Sequence, residues 1–104
     1  MFKLTPNPTF WAPVGLTVPG EPAPVVVDFC FKHLHRDALQ DFFDRCNSGL
    51  KAQDALAEVV VDWRGFDKPF SAEALAELLR NYVPSGQEIF AAFRRESVDS
   101  RIKN

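Results

Sequence analysis

Residues 63–79, WRGFDKPFSAEALAELL, set three aromatic side chains among a glycine, a proline and three charges, then settle into a helical repeat. Leu75, Leu78, Leu79 and Tyr82 recur at i, i+3, i+4 and i+7, which predicts a helix over 72–82 with one apolar stripe. Ser71 is its expected N-cap, and Phe70 with Leu75 has the spacing of a hydrophobic staple across the helix entrance. Pro84 closes the same helix. Leu56, Val59, Val60 and Trp63 carry the same repeat upstream, so a helix over 52–63 is read to end at Trp63. Residues 64–70 are then the corner between two helices. Gly65 lets the chain turn, and Pro69 removes a donor and biases Lys68 towards extended backbone. Phe66 and Phe70 fold back over the end of the bundle. That packing role accounts for much of the aromatic content, against a competing reading in which Trp63 or Phe66 meets a partner.

Two further helices follow the same logic. One, over 36–47, carries Leu39, Phe42, Phe43 and Cys46 and is ended by Asn47-Ser48-Gly49. The other, over 86–97, carries Ile89, Phe90 and Phe93, and Ser85-Gly86-Gln87-Glu88 has the spacing of a capping box at its start. The N-terminal third is different. In TFWAPVGLTV (9–18) Phe10, Ala12, Val14, Leu16 and Val18 alternate with mostly polar or small residues, the period of a strand with one buried face. Pro13 cannot donate to a ladder, which places this strand at an edge. PGEPAP (19–24) is turn chemistry suited to a type II turn at Pro19-Gly20, and VVVDFCFKH (25–33) is the returning strand. A lone hairpin is marginal in water, so this one over 8–34 must lay its Phe/Val face on the helices. The expected fold is α+β: one domain over 1–104, with an N-terminal β-hairpin packed on a small bundle of about four helices (36–97) and a frayed tail over 98–104.

A chain of 104 residues forms one domain with a modest core. Ten phenylalanines against one tyrosine let aromatics pack densely without hydroxyls to satisfy. A formal charge of −2 lacks the basic footprint of nucleic-acid binding, although four basic and two acidic side chains gather from Arg94 onward. Two cysteines make no disulfide framework, and neither a signal peptide nor a membrane span is present in the pattern. A cytoplasmic protein is expected.

Catalytic and metal signatures are missing. There is no phosphate-binding glycine loop, no G-x-S-x-G and no H-E-x-x-H. Cys30, His33, His35 and Cys46 match no standard zinc spacing, and Cys46 falls on an apolar helical stripe. Neither cysteine sits at a helix N-terminus that would activate it. Asp37, Asp41 and Asp44, like Asp54, Glu58 and Asp62, fall on outer helical faces as solvated carboxylates. No catalytic residue, cofactor or metal is expected. A small DNA-binding regulator of helix-turn-helix type is the alternative, with the last two helices as the motif and Arg94 and Arg95 on phosphates. The front of the last helix, however, offers Gln87 and Glu88, and a carboxylate there repels the backbone. What remains is an interaction protein, with Trp11 on the outward face of an edge strand as one exposed anchor.

Several stretches together resemble the small tail assembly chaperones of tailed bacteriophages and prophages. MFKLTPNPTFWAPV (1–14) looks like the family's strand entry, and FKHLHRDALQDFFDR (31–45) is similar to its strand-to-helix passage. VVVDWRGFDKPFSAEALAELLRNYVPSGQEIFAAF (59–93) resembles its most specific part, and the closing Lys103-Asn104 also fits. The resemblance implies a non-catalytic protein of phage tail morphogenesis, absent from the mature virion. Such a protein binds the long, apolar, helix-rich tape measure protein, keeps it soluble and helps it meet tail tube protein. In such families part of that contact lies in an extension made by ribosomal frameshifting, so a chain ending at Asn104 reads as the short form. Holding an apolar helix requires an exposed apolar groove with a polar rim. Trp11, Trp63, Phe66 and Phe70 are the candidate partner-binding residues, with Phe90 and Phe93 joining them if the last helix swings away. No nucleic acid or membrane partner is implied, and self-association is left open.

Overall fold

The structure, a computed structural model, describes residues 1–99. Strands β1 (Thr9–Leu16) and β2 (Val25–Lys32) are followed by helices α1 (Arg36–Asn47) and α2 (Ala52–Val59), strand β3 (Val60–Arg64), and helices α3 (Ala72–Asn81) and α4 (Ser85–Ser97). The fold is α+β, as the residue pattern predicts, but the hairpin is two-thirds of a sheet. The three strands lie in the order β1-β2-β3, antiparallel throughout.

The third strand corrects the second helix, which stops four residues short of Trp63. The stripe Leu56, Val59, Val60, Trp63 satisfies a helical period, yet Val59-Val60-Val61 is a β-branched run that resists helix and suits a pleated surface. Tertiary context decides between them. The outward amides of β2 need partners, and Arg64 and Asp62 pair with Asp28 and Cys30. A register shift between Cys30 and Phe31 absorbs the extra residue where the chain leaves α2.

Alternation places Ala12, Val14 and Leu16 of β1, Val27, Phe29 and Phe31 of β2, and Trp63 of β3 on the face covered by helices. They join Phe42, Leu56, Val59, Leu75, Ile89 and Phe93 in a single core. The hairpin turn has the expected type II form, with Gly20 at φ 89° and Glu21 N–H donating to the Val18 carbonyl at 3.1 Å. The entrance of α3 is also as expected, since Ser71 Oγ accepts from Ala74 N–H at 3.0 Å.

The capping box at α4 does not form. Ser85 is fully buried inside the first turn and donates its hydroxyl to the Tyr82 carbonyl at 2.6 Å, while Pro84 occupies the N-cap position. Glu88 reaches away from its own helix to the residue that follows β1, where its carboxylate accepts the Thr17 N–H at 3.1 Å and the Thr17 hydroxyl at 2.5 Å. One turn from the far end of α4, Arg95 donates to the Pro13 carbonyl at 3.0 Å. The bond from His33 N–H to the Pro8 carbonyl fixes the ladder's phase, so the odd-numbered residues of β1 turn their amides to its outer rim. Glu88 and Arg95 therefore bind α4 to that rim, and Pro13 has no N–H to leave there. On β3 the equivalent outward N–H, that of Trp63, is taken by the Asp62 carboxylate at 2.8 Å. Of the tail read over 98–104, only Val98 and Asp99 are among the described residues.

Candidate functional site

The corner at 64–70 is built around Trp63. Being in β3 rather than at a helix end, Trp63 points into the core and is 7% exposed. Phe66 stacks on it with ring centroids 3.9 Å apart, and Phe70 meets its edge at 5.4 Å. The indole N–H donates to the Lys68 carbonyl at 2.9 Å, which fixes the corner to the strand that precedes it. Gly65, at φ 91°, supplies the turn. Lys68 pairs with Glu77 of α3 at 3.0 Å, and that hydrogen bond raises the Lys68 pKa above its ordinary range. Phe66 divides two recesses: a small one of about 90 Å³ towards α3, and one of about 310 Å³ open towards Leu16, Val18 and Val25 of the hairpin.

Phe90 and Phe93 belong to a second cluster with Phe42 and Phe43 of α1. Phe93 is fully buried between Phe31 and Phe42, with centroids at 5.5 and 5.6 Å. Phe90 is half-buried and meets the Phe43 ring edge-on at 5.8 Å. Its outer side forms one wall of a groove of about 330 Å³ between α2 and α4, which Leu50 and Cys46 close at the α1 end. Burial raises the pKa of the Cys46 thiol. Trp11 lies apart from both clusters, on the face of the sheet away from the core, with the Arg64 guanidinium 3.7 Å above its ring and 38% of its surface exposed.

The six residues singled out from sequence thus occupy three places. Trp63, Phe66 and Phe70 are together; Phe90 and Phe93 are together around the turn of α4; Trp11 is separate. In this conformation Trp63 and Phe93 are core, and Trp11, Phe66, Phe70 and Phe90 offer surface. Sequence reasoning missed the remainder of the α2–α4 groove: Ala52, Ala55 and Leu56 on one side, and Gly86, Ala91 and Arg94 on the other. The only signal was their spacing, since small residues at i, i+3 and i+4 read as ordinary helix filler.

Several polar groups serve the fold itself. Arg45 grips Glu58 with two hydrogen bonds, at 2.7 and 2.9 Å, and Asp41 with a third at 3.0 Å, tying α1 to α2. Those bonds lower the Glu58 pKa below its ordinary range and raise that of Arg45. His35 accepts the Ala38 N–H as N-cap of α1. Among the described residues no three His, Cys, Asp or Glu side chains converge as a metal site. The front of α4, which a DNA reading places against the duplex, uses Glu88 on Thr17.

No curated protein and no solved structure matches the chain. One family model does, over residues 1–104, and its description is phage tail assembly chaperone. The match runs through the hairpin, the aromatic corner and the α2–α4 groove alike, and on it this chain belongs to the phage tail assembly chaperone family.

Proposed function

We propose that this tail assembly chaperone binds the tape measure protein and keeps it soluble while the tail assembles, without catalysis and in the cytoplasm of the host. The observation that carries the reading is the groove between α2 and α4. It is open to solvent, almost wholly apolar in its lining, and as large as the smaller binding clefts of proteins. The core is complete without this surface, and an apolar helical client gives it a use. The resemblance to chaperones that accompany tape measure proteins supports the same client, with tail tube protein as the component it is then handed towards.

Co-expression with the tape measure protein of the same phage tests this, read by the soluble fraction and by co-purification on sizing. A soluble complex is the expected result. A tape measure protein that precipitates equally with and without this chain overturns the proposal.

A further inference from the structure

The groove between α2 and α4 has the construction of a helix-packing site with one position left empty. Ala52, Ala55 and Leu56 follow i, i+3, i+4 spacing on α2, and Gln87, Phe90, Ala91 and Arg94 follow i, i+3, i+4, i+7 spacing on α4. Ala55 and Leu56 are only 2% and 1% exposed and lie beneath the trough, so its walls are Leu50 and Ala52 on one side and the ridge of α4 on the other, a surface against which a further helix can lay its own ridge. The floor residues are small. An added Cβ at Gly86 would stand in ordinary contact, 3.7 Å from Ala52 Cβ and from Leu79 Cδ2, which sets Gly86 of α4 beside Ala52 of α2. A floor of alanine and glycine admits a helix at the short end of the usual interaxial range, about 8–10 Å.

The rim supplies the polarity. Arg94 stands at one end of the groove with its guanidinium 5.6 Å from the Phe43 ring, and it makes no hydrogen bond or ion pair among the described residues. Its neighbour Arg95, by contrast, is bound to Glu96 and to the Pro13 carbonyl. An unpaired cation at the end of an apolar trough calls for a carboxylate on the occupant.

We infer that this groove binds a single amphipathic helix of the client, with a stripe of alanine and leucine facing α2 and α4 and an Asp or Glu beside it that pairs with Arg94. The inference rests on the proposed role as holder of an apolar helical protein, and it selects this groove over the aromatic corner at Phe66. An extended strand suits the site less well, because its residues alternate between two faces whereas the ridge exposed here, on α4, has helical spacing.

The test has two arms. In the first, the whole chain is titrated with a synthetic amphipathic peptide bearing an Ala/Leu stripe and one glutamate, and backbone amide shifts are followed by NMR. Shifts should centre on residues 52–56 and 86–94. Arg94→Glu should weaken binding about three- to tenfold at low salt, with the difference shrinking as salt rises. A peptide carrying lysine in place of the glutamate should restore binding to that variant. Ala91→Trp fills the trough from an exposed position and should abolish binding while leaving the melting temperature unchanged. Absent binding, shifts centred on Phe66 and its neighbours, or unchanged affinity in Ala91→Trp each overturn the inference. Dodecanoate shifting the groove amides where the peptide does not would also overturn it, in favour of a fatty carboxylate.

The second arm repeats the co-expression with Ala91→Trp and Phe66→Ala. Tape measure protein held by wild type and by Phe66→Ala but not by Ala91→Trp is the expected result. Retention by Ala91→Trp sinks the groove inference and leaves the proposed function standing. Peptide binding at the groove without retention of the tape measure protein by wild type does the reverse.

Discussion

Replacing Phe93 by alanine tests whether α4 is a fixed part of the core or a flap that opens to expose it. Phe93 is fully buried and its ring lies within 5.6 Å of both Phe31 and Phe42, so truncation removes a large apolar side chain from a site that strands on one side and a helix on the other hold open. Such substitutions cost about 3–5 kcal/mol, and the aromatic neighbours place this one at about 4. A domain of this size is stable by about 5–15 kcal/mol, so the variant should lose a large part of its stability. Its melting temperature should fall by roughly 15–30 °C. Urea unfolding followed by circular dichroism measures the loss, and Phe90→Ala is the control. Phe90 is half-buried on the same helix and should cost about 1–2 kcal/mol. If α4 stood away from the sheet in the free protein, Phe93 would be solvated already and both losses would be small and alike. A Phe93→Ala cost below about 1.5 kcal/mol with an unchanged urea slope would refute the packing described above and return Phe93 to the partner surface.

Two glycines should respond in opposite ways to alanine. At Gly65 the backbone has φ 91° and a Cβ would come within 3.2 Å of Val27 Cγ1, so Gly65→Ala should cost about 1–3 kcal/mol in denaturant unfolding. Gly86 sits in the first turn of α4 with only ordinary contacts in reach, so Gly86→Ala should match or slightly exceed wild-type stability. The Arg45–Glu58 pair predicts a pH effect. Because Glu58 has a lowered pKa in the folded state, its contribution is full above the unfolded glutamate value and is lost as pH falls through the folded one. Arg45→Met should remove that part of the acid limb of a stability–pH curve and leave neutral-to-basic behaviour alone. Cys46, its pKa raised by burial, should alkylate slowly with iodoacetamide at neutral pH and faster as pH rises, and more slowly again once a client fills the adjoining groove.

Much of the fold was legible because local chemistry and tertiary structure agree. The span of α1, the edge position of β1, the type II turn and the Ser71 cap all rest on residues whose preferred local conformation is the one the fold uses. The misreadings fall where two periods overlap or where a side chain has two possible partners. Val59 to Trp63 fits a helical stripe and a strand equally well, and only the unpaired rim of β2, invisible locally, selects the strand. The triple valine was the available clue, together with the instability of a hairpin left alone. Glu88 has the spacing to cap its own helix, but Thr17, distant in sequence, offers it two donors at once. The candidate site was harder to read. Its aromatics were visible as aromatics, but which of them are core depends on strand register, and the groove is lined by alanines whose meaning lies in two helices coming side by side.

The occupied positions on the rims of the sheet bear on how a chaperone avoids strand pairing with other chains. An open strand edge is a template on which another extended chain can add. Here one rim has a proline without an N–H and is bound by Glu88 and Arg95 from α4, while on the other an aspartate has already taken the outward amide of Trp63. A segment arriving as a strand finds those positions already taken. Contacts made through side chains can be released, whereas a strand stitched into a sheet must be pulled out bond by bond.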